Sequence, residues 1–263
     1  MKKWGLVLGS SGSRGSSYIG YIKAFEEAGL KPDFIAGSSM GAVVGACYAS
    51  GMTIEEMTKE AEELKLMQLI SFPFSLPSIR NGAIFNSNKL LKVLKKYLGD
   101  KTFNDLNIPF KCVATDLYSG EKVVLDKDKH LATCVTASSS IPGIFSPIEL
   151  EDYLLVDGGV KCRLPIDEVK EMGAEVVVAI DALGEIRPVK KKFNVFSVIF
   201  RTFDVMDSQI TAFKDPENNT SMYITPDLGD MQVYSLANIE KAIEIGYEDG
   251  KEKVKKLKGL LRE

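Results

Sequence analysis

Two turns rich in small residues, Gly9-Ser10-Ser11-Gly12-Ser13-Arg14-Gly15 and Gly37-Ser38-Ser39-Met40-Gly41, each follow a short apolar run and lead directly into residues with helical spacing. A strand passes that abruptly into a helix only where the turn residues are small, because bulk there holds the helix away from the sheet. The strand-like runs at 4–8, 33–36, 110–115, 153–156 and 175–180 alternate with helical periodicity, which predicts parallel βαβ units and an α/β fold. The first helix is expected over 15–28, where Ile19, Ile22, Ala24 and Phe25 recur at helical spacing and Gly29 supplies a stop; a second should start near Ser39. With 263 residues, 45% of them hydrophobic, the chain can bury a sizeable core, and one domain over 1–263 is the expectation.

Other segments carry less information. Residues 68–88 have neither helix nor strand period and are punctuated by Phe72-Pro73-Phe74, Leu76-Pro77 and Asn81-Gly82, which reads as a lid or as a loop capping the core. Asp116-Leu117-Tyr118-Ser119-Gly120-Glu121 joins two strand-like runs as a hairpin connection, with Asp116 as a turn residue. The basic stretch Pro188-Val189-Lys190-Lys191-Lys192-Phe193 precedes an amphipathic helix over 194–213, either a membrane-surface element or a core-packing one. The tail 235–263 is a Lys- and Glu-rich helix, and no internal repeat is present.

Composition removes several classes of function. A formal net charge of -3, from 33 basic and 36 acidic residues, leaves no electrostatic footprint for a nucleic acid. Cys47, Cys112, Cys134 and Cys162 are scattered, without zinc-site spacing or disulfide density, so a reducing, cytoplasmic compartment is expected. The apolar N-terminal run stops after about five residues, short of the ~7–15 of a signal-peptide core. No apolar run approaches the ~20 residues that cross a bilayer, so the chain should be soluble or touch an inner membrane surface only peripherally. No calcium-loop spacing, Walker A or G-x-G-x-x-G pattern occurs, so neither a metal nor a cofactor is expected. Oligomeric state is not legible.

The turn at 37–41 has the G-x-S-x-G form, with a strand signal before it and a helical one after, the context of a nucleophile elbow. Ser39 then sits at a helix N-terminus, where unpaired N–H groups favour developing negative charge; the alternative is a capped Ser/Gly turn. A serine hydroxyl needs a base. The one histidine, His130, ends the Asp126-Lys127-Asp128-Lys129 charge run and reads as a surface or helix-entry residue, so a carboxylate is the better candidate. Asp157 in Asp157-Gly158-Gly159 ends the strand-like run at 153–156, and open α/β sheets place their sites at such an edge; an ordinary Asp-Gly turn is the competing reading. The small-residue loop at 9–15 can present backbone N–H groups to an oxyanion, with Arg14 as a positive or structural anchor, or it is a plain turn.

Gly9 to Gly15, Gly37 to Gly41 and Asp157 to Gly159, in this order and each at a strand end, resemble the patatin-like phospholipase family. So do Ala114-Thr115-Asp116-Leu117-Tyr118-Ser119-Gly120 and Ala137-Ser138-Ser139-Ser140-Ile141-Pro142-Gly143-Ile144-Phe145. The resemblance implies a three-layer α/β/α fold with a mostly parallel central sheet and a Ser39–Asp157 dyad without histidine. It implies hydrolysis of phospholipid or lysophospholipid esters through an acyl-enzyme. Backbone oxyanion donors map to Ser11, Gly12 and Ser13, with Met40 N–H as a further candidate. Short-chain ester or thioester hydrolysis and a lipid-binding regulatory role are the alternatives. The chain departs from the family pattern at Ser10 and Ser11, which replace glycines, at Tyr18, where histidine is common, and at Val160-Lys161-Cys162-Arg163, where asparagine is common. Backbone donors survive the serine replacements, whereas a positive φ at either serine would cost about 1 kcal/mol.

Overall fold

The computed structural model describes residues 1–70, 86–184, 186, 188, 195–231, 233 and 236–262. Along the chain run β1 (Trp4–Leu8), α1 (Ser17–Glu27), β2 (Phe34–Ser38), α2 (Met40–Ala49), α3 (Ile54–Ile70), α4 (Asn88–Leu98), β3 (Phe110–Asp116), β4 (Lys122–Leu125) and α5 (Leu131–Ser138). They are followed by β5 (Ile148–Leu150), β6 (Tyr153–Asp157), α6 (Ile166–Glu171), β7 (Val176–Ile180), α7 (Val195–Phe213), α8 (Pro216–Asn219), β8 (Met222–Ile224) and α9 (Ile239–Leu260).

Successive side chains of a strand point to opposite faces, and the buried strands divide accordingly. Leu6, Leu8, Ile35, Val178 and Ile180 pack with residues of α1 to α5 and α9 on one face of the sheet. Val7, Ala36, Val177 and Ala179 pack with Ile166 and Val169 of α6 on the other. The architecture is therefore α/β/α, as expected. Strand order is β5-β6-β3-β2-β1-β7-β8, with β4 paired to β3. The pairs β1–β2, β1–β7, β2–β3 and β7–β8 are parallel.

One part departs from the expected succession of parallel units: besides β4, which the hairpin makes antiparallel to β3, β5 and β6 also pair antiparallel to their neighbours. The register on β3 gives this a consequence. Cys112 and Val113 pair with both β2 and β4, while Ala114 and Thr115 pair with both β4 and β6. A strand has only two edges, so β2 and β6 share the edge opposite β4 and run toward each other. Ser38 at the end of β2 pairs with Val113, and Asp157 at the end of β6 pairs with the next residue, Ala114.

The connection between β3 and β4 is the expected hairpin, and the Asp116 carboxylate accepts hydrogen bonds from Tyr118 N–H, Ser119 N–H and Leu154 N–H. Of the segment 68–88, residues 71–85 lie outside the described residues, as do 189–193 of the basic stretch and residue 194 of the expected helix. Among the described residues no helix is long and apolar enough to cross a membrane.

Candidate active site

Ser39 occupies the junction of β2 and α2 with φ 54° and ψ −123°. A non-glycine residue in that region carries on the order of 1–3 kcal/mol of strain and persists only where its surroundings over-determine it. They do. A Cβ on Gly41 would stand 2.0 Å from the Leu8 carbonyl oxygen and one on Gly37 2.4 Å from that of Gly41, so helix and strand meet backbone to backbone. The Ser39 N–H donates to Ser138 Oγ at 3.1 Å, Ser138 Oγ donates to the Val113 carbonyl at 2.7 Å, and Ser139 Oγ donates to the Ser39 carbonyl at 3.1 Å.

The Ser39 hydroxyl donates to Asp157 Oδ2 at 2.5 Å, and Asp157 Oδ1 accepts the Gly159 N–H at 2.8 Å. The head-on approach of β2 and β6 produces this contact. Asp157 thus reaches Ser39 along an antiparallel strand, not by the rule for parallel sheet edges that was one support for it in the sequence. Its main chain is fixed as well: the N–H donates to the Ser140 carbonyl at 3.0 Å and Thr115 Oγ1 donates to its carbonyl at 3.1 Å. Gly158 lies so close to β3 that a Cβ there would be 2.2 Å from the Val113 carbonyl oxygen. Burial pushes the Asp157 carboxyl up to about 6, against the opposing effect of the hydrogen bonds from Ser39 and Gly159. A carboxylate so placed is a stronger base than one in water, and still ionised at neutral pH.

The loop at 9–15 folds around one left-handed residue. Gly12 has φ +53°, and a Cβ there would be 2.3 Å from the Val233 carbonyl oxygen. Ser11 has φ −160°, and Ser10 is likewise not among the positive-φ residues, so neither serine replacement calls for the left-handed backbone that favours glycine. Ser11 and Gly12 line the same cleft as Ser39 and Asp157. Met40 is the first residue of α2, where an N–H has no carbonyl of its own helix to meet.

Two other loop positions point elsewhere. The Ser13 N–H donates to the Val233 carbonyl at 2.7 Å, which removes it from the set of N–H groups facing the cleft. Arg14 is an anchor: Nε, Nη1 and Nη2 donate to the carbonyls of Met231, Leu183 and Gly229 at 2.8, 3.1 and 3.2 Å. Tyr18 Oη, at the position where histidine is common, donates to the Gly9 carbonyl at 2.9 Å and accepts the Ala182 N–H at 3.4 Å, tying the loop to the chain beyond β7. His130 is exposed at the start of α5, paired through its backbone with Thr102, and does not line the cleft.

The far wall of the cleft comes from α7, whose Phe203, Met206, Asp207 and Ile210 recur at helical spacing. Ile141 and Pro142 add apolar surface from the loop after α5. Val198, Val205, Met206 and Phe213 of α7 are exposed. Asp207 lies 3.4 Å from Arg163, whose other nitrogen holds the fully buried Asp181 at 2.7 Å. Burial pushes the Asp207 carboxyl up to about 7, with Arg163 opposing and Asp181, Asp157 and Asp204 reinforcing. Nothing in the sequence singled out Asp207, because an acid on an amphipathic helix reads as a solvated one. Ser138 and Ser139 lay within a stretch of noted resemblance, but no role was legible because they hold backbone groups, which leave no sequence pattern.

The sequence model described as patatin-like phospholipase matches residues 6–170. An uncharacterized NTE family protein of Mycobacterium tuberculosis is 35% identical over 181 residues, covering 68% of this chain and 49% of that protein. The protein named lysophospholipase nte1 of Emericella nidulans is 28% identical over 283 residues, covering 97% of this chain and 18% of that protein. The chain thus spans half or less of the length of these relatives. Among solved structures, VipD from Legionella pneumophila is similar in fold, with a TM-score of 0.51 at 16% identity, covering 97% of this chain and 67% of that one.

Proposed function

Since the chain belongs to the patatin-like phospholipase family, we propose that it hydrolyses carboxylic esters of phospholipids or lysophospholipids through Ser39 and Asp157. The observation that carries the reading is the 2.5 Å hydrogen bond from the Ser39 hydroxyl to a buried carboxylate, at a strained strand-to-helix turn. Ser39 Oγ attacks the ester carbonyl carbon as its proton passes to Asp157 Oδ2. The tetrahedral intermediate collapses, the alcohol leaves with that proton, and the acyl group remains on Ser39. Water then repeats the sequence in reverse roles and releases the fatty acid.

Negative charge on the carbonyl oxygen needs preorganised donors, each worth roughly 3–4 kcal/mol in such holes. The N–H groups of Ser11, Gly12 and Met40 are the candidates, and Ser13 is withdrawn because Val233 occupies its N–H. The apolar residues of α7 and the loop after α5 suit an acyl chain. The name of the Emericella nidulans relative favours lysophospholipids within the class. Four free, buried cysteines suit a reducing compartment, with peripheral contact to the lipid surface.

The test is fatty-acid release from lysophosphatidylcholine together with labelling by a fluorophosphonate. Release and labelling by the native protein, both absent in Ser39→Ala, are expected; equal labelling of Ser39→Ala would overturn the assignment.

A further inference from the structure

The geometry points to Ser138 and Ser139 as positioning residues that clamp the backbone of Ser39 from both sides and hold its hydroxyl in register with Asp157. The inference rests on Ser39 being the nucleophile. Ser138 Oγ stands between two main-chain groups, accepting the Ser39 N–H at 3.1 Å and donating to the Val113 carbonyl at 2.7 Å. Val113 is the β3 residue paired with Ser38, and its neighbour Ala114 is paired with Asp157. The hydroxyl therefore ties the strained turn to the point on β3 where the two strands meet. Ser139 Oγ completes the clamp on the Ser39 carbonyl at 3.1 Å. The next residue, Ser140, holds the Asp157 N–H through its carbonyl at 3.0 Å. Three consecutive residues at the end of α5 thus contact the main chain of both dyad members.

Ser39 cannot reach φ 54° cheaply, and it lacks a glycine's freedom to stay there. Without the clamp the turn can relax toward an ordinary conformation, which lengthens the Ser39 to Asp157 hydrogen bond. Misplacement of a reacting group by about 1 Å costs on the order of 10²-fold in rate. That loss belongs to the chemical step and not to substrate binding, because neither serine lines the cleft.

The experiment compares Ser138→Ala with Thr136→Val, which also deletes a fully buried hydroxyl from α5 but one that donates only to the Ala132 carbonyl of its own helix. Both are measured well below their melting temperatures on lysophosphatidylcholine and with a fluorophosphonate. Ser138→Ala should lower kcat and the labelling rate at least about tenfold with KM within about twofold, whereas Thr136→Val stays within about twofold in each. The acid limb of its kcat/KM profile should also move to higher pH, because the hydrogen bond from Ser39 is one of the effects that hold the Asp157 carboxyl down. The other charged groups near the cleft, Asp204 and Asp207 of α7 with Arg163 and Asp181, are the same in both variants. Equal behaviour of the two variants, with an unmoved acid limb, would overturn the clamp. If Ser138→Ala does not fold, Ser139→Ala carries the same expectation and the same refutation. Failure of the native protein to be labelled would instead count against the nucleophile itself.

Discussion

The two walls of the cleft are built by different physics. On the side of the proposed dyad, Ser39 and Asp157 project from main chain fixed by strand register on β3, by hydrogen bonds donated to Ser138 and Ser140, and by hydrogen bonds accepted from Ser139 and Thr115. On the opposite side, α7 offers side chains and meets the floor through the Arg163–Asp207 pair at 3.4 Å, with a carboxyl that burial has already pushed up to about 7. A main-chain scaffold holds a reacting geometry to tenths of an ångström, whereas an imperfectly matched buried ion pair is a weak tether. Substitutions on the two sides should therefore differ in kind: turnover on the dyad side, stability and its pH dependence on the α7 side.

The largest effect belongs to the dyad. Asp157→Asn removes the proposed base but keeps an amide that can still meet the Gly159 N–H, so it should fold normally and lose on the order of 10³-fold in kcat. In the native protein kcat/KM should fall as pH drops below about 6, the value to which burial raises Asp157. Gly12→Ala comes next. With φ +53° and the Val233 carbonyl in the place a Cβ would take, the loop must shift its N–H groups, and a loss of roughly 10²-fold in kcat with about 1 kcal/mol of stability is expected from kinetics and urea melts.

How much of this was legible in the sequence varies with what each residue touches. The strands β1, β2, β3, β6 and β7, the nucleophile turn and the hairpin at Asp116 follow from apolar patterning and turn chemistry, which are local, whereas the three-residue strands β5 and β8 are too short to show a pattern and were not expected. The direction of β6 is not local: a run such as Tyr153-Leu154-Leu155-Val156 has the same residues whether it pairs parallel or antiparallel, so the edge rule that supported Asp157, beside the elimination of His130 and the family resemblance, is one its strand does not obey. In the same way, the sequence of the loop at 9–15 shows which residues have N–H groups but not which way they face, so Ser13 stood beside Ser11 and Gly12 until Val233 claimed it.

The α7 side sharpens the contrast through stability. The Asp207 carboxyl is raised from 3.8 to about 7 in the folded protein, so the folded state binds the extra proton between those values and stability falls as pH rises through that window. Asp207→Asn removes the cost of an ionised buried group, and Arg163 keeps Asp181. Its melting temperature should exceed the native one by a few degrees at pH 8, on the order of 2–4 °C, and the difference should vanish near pH 4. No gain at pH 8 would mean that α7 is held better than its ion pair suggests. The smallest effect is expected from His130→Ala, because His130 is exposed and away from the cleft: turnover within about twofold of native, the ordinary range for a surface site.

The rate of Ser39 labelling by a fluorophosphonate, followed against pH in the native protein and in Asp157→Asn, bears most directly on the dyad. The native rate should rise through pH 6 as Asp157 ionises, and the Asn variant should label at least about 10²-fold more slowly without that rise. Labelling of folded Asp157→Asn at the native rate, or a native rate that collapses in His130→Ala, would contradict a base made of Asp157 alone.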